Sequence, residues 1–539
     1  MDRRSFVLKA GLVAAGSAFS SPLMSCGSIQ QGSAIPCLGP AAAPVPVPGM
    51  TYIRASQIGC ALDCDLGLGI NKYTGGAATD DAPRINAAMA GASATNPITF
   101  IIDGSALISG LHPPAGGYWS IAGLGCGTGF FIKTGANSDG IHNGPPNAGI
   151  PQNPGPPVPA RGSSVSLSNF TLNGNAGTGR NGDSTTGAKQ GDPSLGWYFC
   201  INLMNLNNIT IENVVVVNSP SFHFLLSNVG NVNVSGCVMV STGPNTDGLH
   251  FDGPANDITI SNCDFTTGDD AIALNCPEGY RGDISRVSVT NCTFNSFTYL
   301  LRLYTIPATG WLAYNIDTVS VTGCSGRLAR AGFLIGDCMG SKPHSVDGLT
   351  ISNCSLTTPA ILDISANFGT VALNNVTQIP LRTPTPPSLA FVRTSSIFAG
   401  MTYTGENLVL TNCVITQNTD FVDAGIILQN NSTINNLVFN GFAIHNASGK
   451  SFPLAQQLVN VNSGTIGQLV LNAVNPAGIT APVSSGGFSK VGSVSGTGVL
   501  ATGWRFPNTV MANNVPYISA NSGSPSIKIN GEVEPYPQS

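Results

Sequence analysis

Between Asn245 and Leu274 the chain carries three acids in two turn-like settings, Asp247 in N-T-D-G-L-H-F and Asp269 with Asp270 in T-G-D-D-A-I-A-L. Each stands just ahead of a short apolar run, and Asp247 and Asp269 are 22 residues apart. That distance is odd for two hairpin strands but natural for one coil of a parallel β architecture. A single coil would reduce it to the step between neighbouring strands, about 4.8 Å. Three carboxylates crowded on one patch suit acid–base cleavage of a glycosidic bond, one acid keeping a proton for the leaving group while an ionised partner activates water. Like charges resist joint ionisation, so the crowding itself raises the proton affinity of at least one acid. A single Asp in such a setting is ordinary turn chemistry. The reading therefore depends on whether the chain stacks these turns.

A repeat predicts that it does. The six-residue pattern is apolar, polar, apolar, polar, Asn or Gly, then a small or apolar residue. It occurs as V-S-L-S-N-F ending at Phe170, I-T-I-E-N-V at Val214, V-N-V-S-G-C at Cys237 and I-T-I-S-N-C at Cys263. It continues at Cys292, Cys324, Cys354, Val376, Cys413 and Phe442, with steps from Val214 of 23, 26, 29, 32, 30, 22, 37 and 29 residues. Alternation at period two means strand, and one strand per step means one coil. Each unit has one apolar face and can bury it only against its neighbours. The expected fold is all-β, a right-handed parallel β-helix. A β-sandwich is the rival, but short two-residue hairpin turns do not separate these strands. Further apolar runs about ten residues on, such as F-H-F-L-L and L-L-R-L-Y, predict a second sheet. Asn in the fifth position suits a bend, with side chains bonded along the axis.

Six of the 14 cysteines fill the sixth repeat position. Such a column is expected to pack as small buried hydrophobes and to stay reduced. Cys60 and Cys64, outside the column, are the expected disulfide partners, and no Cys/His spacing reads as a zinc site. Neither a metal nor a cofactor is expected. The stretch from Thr79 to Met89 predicts a helix with acids at its cap and Pro in its first turn, closing the N-terminal end of the solenoid. Gly144 to Gly162 and Asn173 to Gly196 read as long loops.

Only 9% of the 539 residues are charged, so the polar surface must be built from Asn, Thr, Ser and Gly. With 42% hydrophobic residues and a net charge of −5, disorder and a basic nucleic-acid face are both excluded. Residues 1–26 read as an export signal. Arg3-Arg4-Ser5-Phe6-Val7-Leu8-Lys9 ahead of an apolar run matches the twin-arginine type rather than a plain Sec signal. Leu23-Met24-Ser25-Cys26 is similar to a lipoprotein cleavage box, leaving lipidation of Cys26 or simple release as alternatives. The expected location is periplasmic, cell-surface or extracellular. Residues 27–50 read as a Pro/Ala-rich spacer, 51–475 as the β-helix and 476–539 as a C-terminal region with a short β cap.

N-S-P-S-F-H-F from Asn218, P-N-T-D-G-L-H-F from Pro244 and T-G-D-D-A-I-A-L from Thr267 together resemble the polygalacturonase family, glycoside hydrolase family 28. The close match covers about 60 residues, and Thr79 to Met89 is similar to the opening helix of pectin-lyase-like β-helices. The resemblance implies inverting hydrolysis of a polysaccharide, with Asp269 as general acid and Asp247 and Asp270 holding and activating water. The family also carries G-H-G one coil later and R-I-K a further coil on. Aligned without a gap, Thr298 or Tyr299 takes the place of that His, and Phe333-Leu334-Ile335-Gly336 that of the basic pair. With a coil deleted, Arg302 alone remains. Losing half of a carboxylate clamp makes plain polygalacturonan doubtful.

Alternation predicts an outward column of His250, Ala273 and Arg302, in which His250 and Arg302 flank a gap of about 10 Å that a sugar could occupy. His223 also lies in the matched stretch, a candidate for the substrate-binding set with a structural role expected of it. Tyr304, Trp197 and Tyr198 could stack on sugars or pack in the core. The expected partner is a polysaccharide or oligosaccharide. A catalytically silent glycan-binding or adhesion β-helix, and more remotely a lyase, are the alternatives.

Overall fold

The computed structural model describes residues 39–125, 127–143, 158–177, 198–305, 314–336, 346–381, 390–394 and 403–417, with shorter stretches from there to 535. The export segment with Cys26, the loop residues 144–157 and 178–197, and Trp197 among them lie outside the described residues. Two compact units are present, one of residues 1–282 and 292–297, the other of 283–291 and 298–539.

In the first unit the repeat becomes a stack. Strands Ile201–Glu212, Phe224–Ser235 and Leu249–Ser261 pair in parallel, each with the next, and Leu249–Asp252 pairs onward with Ile272–Asn275. Strands stacked coil upon coil in parallel make the right-handed parallel β-helix that the repeat predicts. Like sits on like: Val234 lies between Ile211 and Ile260, and all three are fully buried. Burying each such side chain contributes about 1.5–3 kcal/mol.

The corner explains the fifth repeat position. Asn213, Asn262, Asn353 and Asn412 all adopt φ between 50° and 53°, a left-handed conformation that most residues enter at a cost of about 1–2 kcal/mol. Asn tolerates it and stacks: Asn213 Nδ2 donates to Asn169 Oδ1 at 3.3 Å, and Asn375 Nδ2 to Asn353 Oδ1 at 3.1 Å.

The second sheet lies elsewhere than the apolar runs predict. F-H-F-L-L and G-L-H-F enter the same long strands as the next hexamers, bent within them at left-handed Asn228, Asn231 and Asp257. The separate sheet is built from the residues just past each corner, such as Val215–Val217, Val238–Val240, Asp264–Thr267 and Thr293–Ser296.

The predicted helix spans Ala82–Met89, with Pro in its first turn. Asp80 Oδ1 receives the Ala82 amide, whereas the buried Asp81 carboxylate accepts the Ala61 and Leu62 amides and so ties the helix to the preceding loop. That loop contains Cys60 and Cys64, which are free thiols rather than a disulfide. Burial, helped by Asp81 beside Cys60 and Asp63 beside Cys64, pushes both thiols up to about 12. The column cysteines Cys237 and Cys263 are also free and buried.

In the second unit, Tyr299–Tyr304 pairs with Ala331–Gly336, which pairs with Leu362–Ile364, and that strand with Ala390–Thr394. A buried bidentate pair, Arg393 to Asp363 with both contacts at 2.5 Å, links the last two. Near the C-terminus three short strands, Ile518–Ser519, Ser526–Ile529 and Glu532–Pro535, pair antiparallel. Among the described residues no helix is long and apolar enough to cross a membrane.

Candidate active site

The register Leu249↔Ile272 sets Asp247 and Asp270, two residues earlier on each coil, side by side. The backbone ties the two turns directly: the Gly248 amide donates to the Asp270 carbonyl and the Leu249 amide to the Ala271 carbonyl, both at 3.0 Å. Thr246 adds a side-chain link, its Oγ1 receiving the Gly268 amide at 3.0 Å. Gly248 is required by this closeness, because a Cβ there would lie 2.4 Å from the Ala271 carbonyl oxygen and 2.6 Å from the Phe265 ring.

Asp247 and Asp270 are buried, while Asp269 is partly exposed. Among the three, Asp269 is therefore the one a large substrate can reach. Its carbonyl is fixed by the hydroxyls of Thr267 at 2.7 Å and Ser296 at 2.6 Å.

Two histidines hold Asp247 from behind. His223, on the preceding coil, donates to the Asp247 carbonyl through both its backbone amide, at 2.8 Å, and its ring Nδ1, at 2.7 Å. It is fully buried and cannot touch a substrate, which removes it from the substrate-binding set and leaves it the structural role. Burial pushes the His223 imidazole down to about 4, with the carbonyls of Asp247 and Val240 pulling the other way.

His250 is the second. Its ring Nδ1 lies 2.7 Å from Asp247 Oδ2. Instead of standing in an open column beside a sugar, it is 2% exposed, stacked at 4.0 Å against Phe222, which stacks on Phe199. Its pairing with Ala273 is as predicted, but the ring turns toward acids. Nε2 lies 3.2 Å from both Glu278 Oε2 and Asp252 Oδ1. Burial disfavours its charge, yet the contacts with Asp247, Asp252 and Glu278 outweigh that and hold its pKa well above the ordinary 6.5. Burial raises the Asp252 carboxyl, with His250 opposing.

Asp252, Asn275 and Glu278 are not among the residues that the sequence singles out. Asp252 had a signal, since two residues past His250 on a strand is the same face. Glu278, in the loop after Asn275, had none.

In the second unit, the Arg302 guanidinium lies 4.4 Å over the ring of Tyr304, which is 4% exposed. Tyr304 is thus covered by Arg302 and does not offer a bare stacking face. Tyr198 is packed in the core, its hydroxyl donating to Asn137. Tyr299, one of the two residues aligned with the missing His, is buried with Ala331, Leu334 and Ala360. Phe333–Gly336 is an entirely buried apolar strand carrying no cation.

Comparison with known proteins places the resemblance on the same coils. Residues 159–296 match the model of glycosyl hydrolases family 28. A probable polygalacturonase of Arabidopsis thaliana is 32% identical over 85 residues, 15% of this chain and 19% of that protein. A polygalacturonase of Prunus persica is 34% identical over 70 residues, 13% of this chain and 18% of that protein. The chain thus spans about a fifth of the length of the curated relatives it matches. A surface adhesin of Streptococcus pneumoniae superposes with a TM-score of 0.50 at 13% identity, over 89% of this chain and 99% of that one. At that identity the likeness is one of fold. Over residues 159–296 the chain resembles glycoside hydrolase family 28 as a divergent relative.

Proposed function

We propose that the chain is an exported glycoside hydrolase that cleaves a polysaccharide with inversion. The observation that carries this is the adjacency of Asp247 and Asp270 on neighbouring coils, with the more accessible Asp269 in the same turn. In the proposed step, water held by Asp247 and Asp270 attacks the anomeric carbon and gives its proton to a carboxylate. The glycosidic C–O bond breaks, and Asp269 delivers its proton to the departing oxygen. His223 and His250 touch no sugar; they keep Asp247 in place. The gapless alignment, which puts Phe333-Leu334-Ile335-Gly336 where the family carries its basic pair, supports a substrate other than plain polygalacturonan, a neutral or differently substituted glycan. The leader sequence supports action outside the cytoplasm, either lipid-anchored at Cys26 or free.

The same apolar strand favours the second reading, a silent β-helix that binds glycans at a surface. A panel of plant, bacterial and algal polysaccharides separates the two. Release of reducing ends, without an unsaturated product absorbing in the ultraviolet, supports the hydrolase over both the adhesin and a lyase. Binding with no cleavage anywhere in the panel refutes it.

A further inference from the structure

Around His250 the first unit gathers more negative charge than one imidazole can balance. Nδ1 is taken by the Asp247 carboxylate, and Nε2, Asp252 Oδ1 and Glu278 Oε2 lie within 4.8 Å of one another. Asp252 is fully buried, and neither of its carboxylate oxygens has a hydrogen bond. Its Oδ1 makes a 3.2 Å ion contact with Nε2. The Gly279 backbone roofs it so closely that a Cβ there would come within 2.6 Å of the Asp252 Cβ. A buried carboxylate left without donors costs several kcal/mol, and a single imidazolium cannot neutralise both Asp247 and Asp252. Beside them Asn275 Nδ2 lies 3.2 Å from His250 Nε2 and 3.3 Å from Glu278 Oε2, while its Oδ1 is buried without a partner. Rotating the amide by a half turn would set Oδ1 at that position instead, where a cation between the two acceptors is needed to hold it beside the Glu278 carboxylate.

We propose that His250 Nε2, Asp252 and Glu278, with Asn275 Oδ1 as a fourth donor, bind one divalent transition-metal ion, Zn2+ or Mn2+. Donors held about 2.1 Å from one ion in tetrahedral geometry sit about 3.4 Å apart, and Nε2 is 3.2 Å from each carboxylate oxygen. Asp247 takes the place of the outer carboxylate that fixes a ligand histidine, Nδ1–H donating outward so that the Nε2 lone pair faces the ion. One nitrogen with oxygens suits these ions over Ca2+ and Mg2+, which favour oxygen alone. The sequence offered no metal spacing because the donors come from a strand and the loop of the next coil. The inference does not depend on hydrolysis, and its test reads binding.

Chelator-treated full-length protein is titrated with ZnCl2 and, separately, MnCl2 by calorimetry and thermal unfolding. One equivalent of ion binds and raises the melting temperature. Glu278→Gln, at a side chain 35% exposed, weakens binding by about tenfold or more and leaves metal-free melting near wild type. Asp252→Asn, which removes the buried charge, also loses binding without loss of metal-free stability. No stoichiometric binding of either ion below about 100 μM, or binding by Glu278→Gln within about twofold of wild type, overturns the site.

Discussion

His223 gives the account a thermodynamic handle on Asp247. Its Nδ1–H is committed to the Asp247 carbonyl at 2.7 Å and the ring is fully buried, so protonation would bury a charge that the carbonyls of Asp247 and Val240 offset only in part. The imidazole is accordingly pushed from 6.5 in the unfolded chain to about 4. A depressed histidine binds its proton preferentially in the unfolded state, so its stabilisation is present above pH 6.5 and is lost as pH falls toward 4. At 1.36 kcal/mol per unit, the loss is about 1 kcal/mol at pH 5.5 and about 3 kcal/mol at pH 4.5. His223→Asn retains a donor near the Nδ1 position but cannot titrate. Urea unfolding of both proteins between pH 7 and pH 4.5 isolates the effect from carboxylates common to both. The destabilisation caused by the substitution at pH 7 should shrink by about 3 kcal/mol, or reverse, at pH 4.5. Parallel pH curves for the two proteins would refute the reasoning.

Further outcomes are expected. Gly248→Ala forces a Cβ to 2.4 Å from the Ala271 carbonyl oxygen, and overpacking of this kind costs about 1–3 kcal/mol, read as a lowered urea midpoint together with lost activity. Asn262, at φ 52°, should lose about 1 kcal/mol on replacement by Ala and almost nothing on replacement by Gly; equal losses would contradict the corner. Asp269→Asn should lower kcat by about a hundredfold or more with an unchanged circular dichroism spectrum and melting temperature. Thiol titration in denaturant without reductant should find Cys60 and Cys64 unmodified by each other, and a mapped disulfide between them would contradict the structure.

Sequence carried the adjacency of Asp247 and Asp270 because a β-helix turns a repeat length into a single strand step. It also carried the corner, since Asn and Gly are the residues that enter left-handed φ cheaply. It did not carry what depends on side chains turning: alternation points His250 away from the coil interior, and only the stack of Phe199 and Phe222 on its ring shows that it is buried and directed at acids. Tyr304 has the character of a sugar platform, but Arg302 lies on its ring. Cys60 and Cys64 have a spacing of four residues that permits pairing, yet spacing says nothing of the direction of either thiol. The second sheet is misplaced by the sequence because left-handed Asn228 and Asn231 bend a strand without ending it, and composition does not distinguish the two.

The central claim is that Asp247, Asp269 and Asp270 cleave a glycan by single displacement. Proton NMR of the first product formed on a cleaved glycan reads this directly, because the new anomeric centre reports its configuration before mutarotation. Inversion by the wild-type chain and no product from Asp269→Asn are the expected results. Retention of configuration, or undiminished turnover by Asp269→Asn, would contradict it.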